Sequence, residues 1–344
     1  MKKSFPVLIV AALGLAGCSV ADQAPDTDED AAASITIMTH DSFNVPEELV
    51  TAFEEDTGYS VTTTSPGDAG AVLNQLILQK DNPTVDGVYG IDNYSAETLL
   101  AEDMLTSHDV DLGSAEQYAL DSDTDGHLAP IDHGQVCVNI DNEWFEQEGI
   151  TPPETLDDLL DPTYEGLFVT TDPTSSSPGL AFLVATIAEY DDGWQSYWED
   201  LLDNGAKVAG GWSDAYYSDF TSAGEGDYPL VLSYSSSPSA EEGRTASLLD
   251  TCTQQVEYAG VLEDGANPEG AKAFIEFLLS TEFQESLPEE MFMYPVDDEV
   301  ELPEAWSEYA DLSDDPITID DAEVAENRDD WLADWTEVYE NHSS

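Results

Sequence analysis

The sequence predicts an α/β fold built on a parallel sheet, in a chain long enough for two domains. Three observations lead to this prediction. Apolar runs of strand length alternate with runs of helical periodicity, polar clusters follow the predicted strands, and 344 residues exceed the usual size of one domain. Hydrophobic residues make up 41% of the chain and aromatic residues 10%, so a large core is expected despite the high charge.

The first part of the chain is predicted to form three strands with helices between them. Pro46 begins the first helix and Gly58 ends it, in the usual placement of these two residue types at helix ends. The stretch Gly67-Asp68-Ala69 leads into the second helix, whose free N–H groups can bind an anion. The predicted strands are 34–39, 59–64 and 85–91.

Polar side chains follow each of these three strands. The carboxyl ends of parallel strands meet at one edge of a sheet, where the ligands of α/β proteins gather. We therefore expect the three polar clusters to lie together at a binding site. The clusters are His40-Asp41-Ser42, Gly67-Asp68-Ala69 and Asp92-Asn93.

The middle of the chain is predicted to form a second α/β unit. Asp132 lies just before an apolar strand that crosses into this unit. Ser177 is predicted to cap a helix of the unit, with Pro178 as the first helical residue. The other predicted elements are strands at 167–169 and 230–232, a helix at 194–202, a segment at 207–209 that leads into an aromatic stretch, a return to the first unit near 255–258, helices at 268–279 and 322–339, and a connection at 288–295.

Two aromatic stretches in the second unit suit a flat and cationic small molecule. Trp212 and Tyr216 follow a glycine turn, and Tyr234 follows an apolar strand and precedes a run of serines. Aromatic rings stack on one another, and a cation is attracted to an aromatic face. The alternative interpretation is that these rings are half-buried parts of the core. The polar clusters of the first unit favour the interpretation as a binding site.

The charge of the chain is extreme, with 75 acidic residues, 7 basic residues and a formal net charge of -68. Repulsion on this scale destabilises a compact chain in dilute salt, but in about 1 M salt the Debye length falls to about 3 Å. We interpret the charge as that of a salt-adapted extracytoplasmic protein. It argues against nucleic-acid binding, which needs a basic surface. Selectivity for a ligand must then come from a local pocket.

The N-terminus has the pattern of a secretory signal over residues 1–17. Two lysines precede the apolar run 6–15, which is too short to span a membrane. The ending Leu15-Ala16-Gly17-Cys18 resembles the lipobox of bacterial lipoproteins, which implies cleavage before Cys18 and a lipid on its sulfur. Residues 18–33 would then be an acidic tether. The alternative is a plain secreted protein with an incidental cysteine.

Two further cysteines, Cys137 and Cys252, lie in strand-like runs. In an oxidising compartment, the even number of cysteines that remain besides Cys18 favours a disulfide. Two buried free thiols are the alternative. The chain has no CxxC motif and no cluster of His and Cys residues, so no structural metal is expected.

An ordered set of short motifs resembles the thiamine-binding lipoproteins and periplasmic proteins of ABC importers. The resemblance extends from about residue 35 to residue 339, and it depends on the order of the motifs rather than on any single one. The motifs are Thr39-His40-Asp41-Ser42-Phe43, Gly90-Ile91-Asp92-Asn93, Asp132-His133-Gly134, Asp172-Pro173 with Pro178-Gly179-Leu180, Gly211-Trp212-Ser213-Asp214-Ala215-Tyr216, Leu232-Ser233-Tyr234 and Met293-Tyr294-Pro295-Val296.

The resemblance implies a two-lobed periplasmic-binding-protein fold with a hinge, in which each lobe is a mixed, mostly parallel sheet flanked by helices. Residues 34–134 and 253–344 would form the first lobe, and residues 135–252 the second. It also implies a monomer, anchored to the membrane, that captures thiamine or its phosphates and delivers them to an ABC permease. No enzyme activity and no cofactor are expected.

The resemblance also implies roles for individual residues. Trp212 and Tyr234 would sandwich or flank the ligand rings, while Asp41, Asp92 and Asp132 would meet the aminopyrimidine and the thiazolium charge. The implied ligand-binding set is His40, Asp41, Ser42, Asp68, Ala69, Asp92, Asp132, Ser175, Ser176, Trp212, Tyr216, Tyr234, Ser235 and Phe292.

Within this set, Asp68, Ala69 and Ser176 match positions that hold the hydroxyethyl or phosphate end of the ligand in the family. Three positions depart from the family pattern. His40 stands where a tyrosine is usual, Phe292 stands where a tryptophan is usual, and Ala240 stands where some members of the family carry a tyrosine. The loss of one aromatic ring would weaken stacking by about 1 kcal/mol.

Three other functions are less well supported by the sequence. The run 121–126 matches the first half of an EF-hand calcium loop, but Pro130 interrupts the second half. A hydrolase could use paired carboxylates, yet the chain lacks the G-x-S-x-G nucleophile elbow. Within the binding class, the alternatives are another small cation such as a polyamine, or iron, which needs several converging oxygen ligands.

Overall fold

The computed structural model describes residues 34–224 and 226–343. The predicted signal segment 1–17, the lipidated Cys18 and the tether to residue 33 lie outside the described residues. The strands are β1 (Ser34–Met38), β2 (Ser60–Thr64), β3 (Gly87–Asp92), β4 (Leu105–Thr106), β5 (Leu128–Asp141), β6 (Phe168–Thr171), β7 (Lys207–Ala209), β8 (Leu230–Tyr234), β9 (Thr245–Ser247), β10 (Thr253–Leu262) and β11 (Tyr294–Pro295).

Helices alternate with these strands, as the sequence predicts. The helices are α1 (Glu47–Thr57), α2 (Ala69–Leu78), α3 (Asn93–Ala101), α4 (Asn142–Glu148), α5 (Ser177–Tyr190), α6 (Trp194–Asp203), α7 (Trp212–Asp214), α8 (Ser237–Ala240), α9 (Pro268–Leu278), α10 (Thr281–Glu290), α11 (Glu304–Tyr309) and α12 (Asp321–His342). A π-helical turn (Ala215–Asp219) continues α7. Short 3₁₀ turns occupy Gly113–Tyr118, Asp157–Leu160, Pro162–Tyr164, Asp191–Gly193 and Leu249–Thr251.

The strands form one mixed sheet in the order β2-β1-β3-β10-β5-β8-β6-β7, with β4 added to β10 and with β9 and β11 added to β5. Strands β2, β1 and β3 are mutually parallel, and so are β8, β6 and β7. The two central strands, β10 and β5, are antiparallel to their neighbours. Each half of the sheet therefore contains three parallel strands and one antiparallel strand.

Strand β5 belongs to both halves of the sheet. Residues Leu128 to Val136 pair with β10, and residues Val136 to Ile140 pair with β8. The disulfide between Cys137 and Cys252 lies at this crossing and joins β5 to the residue before β10. The lobe boundaries expected at 134/135 and 252/253 fall on the same two strands, and they stay a prediction.

The last helix, α12, packs against α3 from the first half of the sheet and against α6 from the second half. Its Trp335 meets Trp198 of α6 edge to face, with ring centroids 5.5 Å apart, and both side chains are fully buried. The C-terminal helix therefore ties the two halves together. Within the described residues, no helix is both long enough and apolar enough to cross a membrane.

Two details of the predicted helices are wrong. The N-cap of α5 is Ser176 and the helix begins at Ser177, one residue earlier than expected. The expected connection from Pro288 is instead the last turn of α10, which continues to Glu290. A proline removes one hydrogen bond from a helix, but the buried Gln284 donates to the carbonyl of Ile131 and fastens α10 to the core. Tertiary packing outweighs the local signal here.

Candidate functional site

The candidate site lies where the parallel strands of both halves end. His40 follows β1, Asp68 follows β2 and Asp92 ends β3, whereas Trp212 follows β7 and Tyr234 ends β8. The carboxyl ends of parallel strands form the ligand-binding edge of an α/β sheet. The predicted clusters therefore meet between the two halves of the sheet, where side chains from the two sides contact each other, and we call this region the cleft.

Four aromatic side chains form one wall of this cleft. The ring of Trp212 stacks on Tyr216 at 5.1 Å and 15°, and its centroid lies 6.1 Å from Tyr234 and 6.4 Å from Phe292. The indole N–H of Trp212 donates to the hydroxyl of Ser233 at 2.8 Å, which fixes the ring plane. The structure thus places four residues of the implied set in direct contact.

The arrangement of the wall corrects one expectation. Trp212 and Tyr234 are inclined at 58° and touch each other, so a ligand ring does not fit between them in this conformation. The ring that stacks in parallel on Trp212 is Tyr216. Trp212 and Tyr234 can therefore flank a ligand on one side, but they do not sandwich it.

A buried acidic cluster forms the floor next to the wall. Nε2 of His40 lies 3.2 Å from Oε2 of Glu257, and the same carboxylate oxygen accepts a hydrogen bond from the hydroxyl of Tyr89 at 3.0 Å. Tyr89 also donates to Asp132, which pairs directly with Glu257 across β5 and β10. All four side chains are buried.

Burial and the neighbouring charges set the protonation of this cluster. Burial and the charge of Glu257 raise the pKa of Asp132 well above its ordinary value. Burial also acts to raise the pKa of Glu257, but the charge of His40 and the hydrogen bonds to the carboxylate outweigh it and the pKa is lowered. Burial lowers the pKa of His40, but the charge and hydrogen bond of Glu257, together with the charges of Asp68 and Asp41, raise it, and the net shift is upward. These shifts favour the charged forms of His40 and Glu257 and the protonated form of Asp132.

Gln255 joins the floor to the aromatic wall. Its amide nitrogen donates to the hydroxyl of Tyr234 at 3.0 Å and to Oε1 of Glu257 at 3.1 Å. Among the described residues, Oε1 of Gln255 and Oδ1 of Asp132 are buried without a hydrogen-bond partner. The unpaired amide oxygen of Gln255 favours a ligand that brings an N–H donor, and the unpaired carboxyl oxygen of Asp132 favours a ligand with a polar group.

At the rim, Asp68 joins the two sides of the cleft. One carboxylate oxygen accepts from the backbone N–H of Ala69 at 2.7 Å, and the other accepts from the backbone N–H of Trp212 at 3.0 Å. Burial raises the pKa of Asp68, while the bond from Trp212 lowers it, and the net shift is upward. The expectation that free N–H groups of α2 bind an anion is wrong at its first N–H, because the Asp68 carboxylate occupies it.

Three other residues of the implied set, Ser42, Asp92 and Ser175, contact residues on the opposite side of the cleft. The hydroxyl of Ser42 lies 3.2 Å from that of Ser213, and the hydroxyl of Ser177 donates to Asp92. The backbone N–H of Ala71 donates to the carbonyl of Ser175 at 3.3 Å. These bonds hold the two sides of the cleft together in a closed arrangement.

Some side chains of the implied ligand-binding set are hydrogen-bonded to other groups of the protein. The hydroxyl of Ser175 donates to the carbonyl of Gly210 at 2.8 Å, and that of Ser176 to the hydroxyl of Thr171 at 3.0 Å. Ser235 is buried just after β8, and its N–H donates to the carbonyl of Gln135. Asp41 is exposed at the rim. These positions border the cleft, and they stay predictions as ligand contacts.

The sequence reasoning missed Tyr89, Gln255 and Glu257. A signal was present, because Glu257 is a charged residue between Val256 and Tyr258 in a strand that is otherwise suited to burial. Carboxylates are almost never fully buried unless they are paired. A lone glutamate in such a strand therefore indicates a functional or paired site.

The closeness of His40 to the floor depends on Gly90. A Cβ atom at residue 90 would lie 2.2 Å from Cδ2 of His40, and Gly90 has a φ of +90°, which L side chains rarely adopt. Glycine is therefore required at this position for two reasons. The residue allows the imidazole to rest on β3 and reach Glu257.

The described residues contain no group of three or more His, Cys, Asp or Glu side chains arranged to hold a metal ion. In the calcium-like run, the Asp123 carboxylate instead accepts the backbone N–H groups of His127 and Leu128, both at 2.8 Å. That carboxylate stabilises its own loop.

The model of the family described as "Bacterial extracellular solute-binding protein" matches residues 82–314 of the chain. The chain belongs to this family. One relative of this solute-binding protein is the "Thiamine-binding periplasmic protein" of Escherichia coli (strain K12). The two are 30% identical over 319 residues, which cover 88% of this chain and 92% of the relative.

Solved structures agree with the assignment. The "Periplasmic thiamin binding protein" aligns with a TM-score of 0.78 at 26% identity and covers 89% of this solute-binding protein and 96% of its own chain. A ferric binding protein from Campylobacter jejuni aligns with a TM-score of 0.69 at 19% identity over 88% and 99% of the two chains, and it shares the fold alone. The predicted two-lobed fold of periplasmic binding proteins is confirmed.

Proposed function

We propose that this solute-binding protein captures thiamine, or one of its phosphates, outside the cytoplasm. The observation that carries the proposal is the direct connection between an aromatic wall and a buried acidic floor through Gln255. Thiamine has two flat rings, a permanent positive charge and an amino group. The wall suits the rings and the positive charge, and the unpaired amide oxygen of Gln255 suits the N–H donors.

The charges around the cleft support a cationic ligand. The carboxyl groups of Asp41, Asp68, Asp92 and Glu257 lie around it, and His40 is the only basic side chain among the site residues described above. A desolvated cation on an aromatic face is worth about 2 kcal/mol. Partly buried interactions of this kind are also screened less by salt than surface pairs are.

The same proposal includes the attachment of the protein to the membrane and its partner, an ABC permease. Cys18 would carry the lipid anchor, residues 18–33 would tether the protein to the membrane, and the closed monomer would deliver its ligand to the permease of an ABC importer. The family assignment and the name of the Escherichia coli relative support a role in uptake rather than in catalysis.

Iron and polyamines are the alternatives within the binding class. Iron needs several converging oxygen ligands, but the hydroxyls of Tyr89 and Tyr234 are engaged with Glu257 and Gln255. A polyamine is flexible and lacks the flat rings that an aromatic wall would bind. The geometry therefore favours thiamine over both.

Native mass spectrometry of the purified protein tests the proposal first, because a tightly held ligand remains bound during purification. We expect a mass increment equal to thiamine or to a thiamine phosphate. Addition of thiamine to ligand-free protein should also quench tryptophan fluorescence through Trp212. Saturable binding of iron or a polyamine with no response to thiamine would refute the proposal.

A further inference from the structure

We propose that Arg328 of the C-terminal helix is a positioning residue for the binding site, which keeps Asp92 available as a carboxylate for a cationic ligand. This inference rests on the proposed function. The helix α12 packs against α3 and α6, which belong to opposite halves of the sheet. We expect Arg328 to act through Asp92 and Ser95 rather than to touch the ligand.

The first observation is the burial of the Arg328 side chain. Among the five lysine and arginine side chains in the described residues, that of Arg328 is the only buried one, with 8% of its surface exposed. The other four have between 26% and 43% of their side-chain surface exposed. Burial of a charged group costs free energy unless the group is well paired.

The hydrogen bonds of Arg328 do not account for this burial. Nη1 lies 3.1 Å from a carboxylate oxygen of Asp329, but that side chain is 84% exposed and its charge is screened by solvent. Nη2 lies 3.5 Å from the hydroxyl oxygen of Ser95, which is longer than a usual hydrogen bond. Nε is buried without a partner among the described residues. A guanidinium held in this way adds little to stability, which indicates that its charge serves another group.

The carboxyl group of Asp92 is the site group on which this charge acts. Burial raises the pKa of Asp92, and the hydrogen bond from Ser177 and the charge of Arg328 lower it. Ser95 lowers it further, the charge of Glu257 raises it, and the net shift is upward. Among these neighbours Arg328 is the only cation, so it is the charge that favours the carboxylate form.

Asp92 lies where its charge can affect both the ligand and the closed arrangement. Its side chain is buried at the end of β3 and accepts the hydroxyl of Ser177 from the opposite side of the cleft. Its Oδ1 is buried without a hydrogen-bond partner. A carboxylate in such a place attracts a cation, whereas a protonated carboxyl group does not. Arg328 therefore supports the attraction of the cleft for a cation from a helix that also joins the two halves.

The other ionisable groups around Asp92 are Glu257 and Tyr258 of β10 and Tyr94 of α3. Burial raises the pKa of both tyrosines, to about 12 for Tyr94, so neither titrates between about pH 5 and pH 8. Glu257 is present in wild type and in every variant used below. A change in pH dependence on substitution of Arg328 can thus be assigned to Asp92 by a second substitution at that residue.

Calorimetric titration of ligand-free protein with thiamine in high salt, between about pH 5 and pH 8, tests the inference. The quantity compared at each pH is the dissociation constant of Arg328→Gln divided by that of wild type. Removal of the guanidinium raises the pKa of Asp92, so the variant loses the carboxylate form at a higher pH than wild type does. We expect the ratio to grow by at least about fivefold from pH 8 to pH 5. A substitution that only disturbs packing weakens binding by the same factor at every pH, so a constant ratio overturns the inference.

Three further variants locate the effect. Arg328→Lys keeps a cation, so its affinity should follow that of wild type across the pH range more closely than the affinity of Arg328→Gln does. In an Asp92→Asn background, Arg328→Gln should no longer change the pH dependence. Arg244→Gln removes an equal charge from a partly exposed pair with Glu143, and its ratio to wild type should not vary with pH. A ratio that grows as much in the Asp92→Asn background as without it overturns the role of Asp92.

Ser95→Ala replaces Arg328→Gln if the latter does not fold. Ser95 contacts the guanidinium and also lowers the pKa of Asp92, so the ratio for Ser95→Ala should grow in the same direction as pH falls. A constant ratio for this variant overturns the inference in that case. Thiamine binding by wild type with constant ratios leaves the proposed function intact, whereas absent binding by wild type overturns the proposed function and the inference with it.

Discussion

The imidazole Nε2 of His40 lies 3.2 Å from Oε2 of Glu257, and both side chains are buried beneath the cleft. The two residues are 217 positions apart in the chain. The pair brings together the end of β1 and the middle of β10, and Tyr89 extends it to Asp132. It is the electrostatic centre of the candidate site.

We predict that the pKa of His40 lies above 6.5, because the effect of burial, the largest single cause, is outweighed by the combined effects of the charge and hydrogen bond of Glu257 and the charges of Asp68 and Asp41. His133 provides an internal contrast, since burial lowers its pKa to about 4. The stability that the pair contributes is present below the unfolded pKa of His and is lost as pH rises through the folded pKa of His40. NMR titration of the histidine rings measures both values.

Two variants identify the resonance of His40 and the cause of its pKa shift. Glu257→Gln should lower the pKa of His40, since burial then acts without its partner. His40→Gln removes the resonance and identifies it. A pKa for His40 at or below 6.5 in wild type would contradict the proposed ion pair.

We predict that the free energy of unfolding of the Asp132→Asn variant, relative to that of the wild type, increases as pH rises. The pKa of Asp132 is well above its ordinary value in the folded protein, so the folded chain keeps a proton that the unfolded chain releases. Asp132 alone therefore lowers the free energy of unfolding of the wild type by up to about 1.4 kcal/mol per pH unit above about pH 4. The Asp132→Asn variant has no carboxyl group at this position and does not lose this stability.

Urea unfolding at several pH values between about 5 and 7 measures the difference, with the exposed Asp56→Asn as the matched control. The difference between Asp132→Asn and wild type should increase with pH, whereas the control should show no comparable trend. A difference that is independent of pH would mean that Asp132 is ionised in the folded protein.

The parts of the site that follow strand ends were predictable from the sequence. His40, Asp92 and Tyr234 each lie where a parallel strand ends, and the topology of an α/β sheet brings such ends together. Glu257 was not predictable in the same way. It lies within an antiparallel strand, and its place beside Asp132 depends on the register of β5 against β10, which local periodicity does not determine.

The fold shows the same division between local and long-range information. Gly58 ends α1 in the left-handed conformation that its position in the sequence predicts. Pro288 was expected to break a helix, and α10 continues through it because buried contacts of Gln284 and Phe283 hold the segment in place. Local signals fix helix ends on the surface, and packing decides them in the core.

We predict that Trp212→Ala weakens thiamine binding by about 2 kcal/mol, or roughly thirtyfold. Trp212 connects the wall through Tyr216, Tyr234 and Phe292, so its removal takes away the largest aromatic face and loosens the others. Fluorescence or calorimetric titration measures the affinity. Trp144→Ala, a half-buried tryptophan of α4, is the matched control and should bind as wild type does. An affinity of Trp212→Ala within about 1 kcal/mol of wild type would show that the ring does not contact the ligand.

We predict that the thermal midpoint falls when salt is lowered from about 1 M to about 0.1 M, because the Debye length then grows from about 3 Å to about 10 Å. Because the formal net charge is -68, stronger repulsion among the carboxylates is expected to be the main effect of lowering the salt. A thermal melt in each salt measures it. Sorbitol at matched osmolality separates charge screening from general exclusion effects, and an unchanged midpoint in low salt would exclude the salt-adapted interpretation.

The identity of the ligand is tested most directly by calorimetric titration of the ligand-free protein with thiamine in high salt. The account predicts saturable binding of one thiamine per chain, with putrescine and ferric citrate bound at least about a hundredfold more weakly. Binding of ferric citrate or putrescine without any thiamine signal would contradict it.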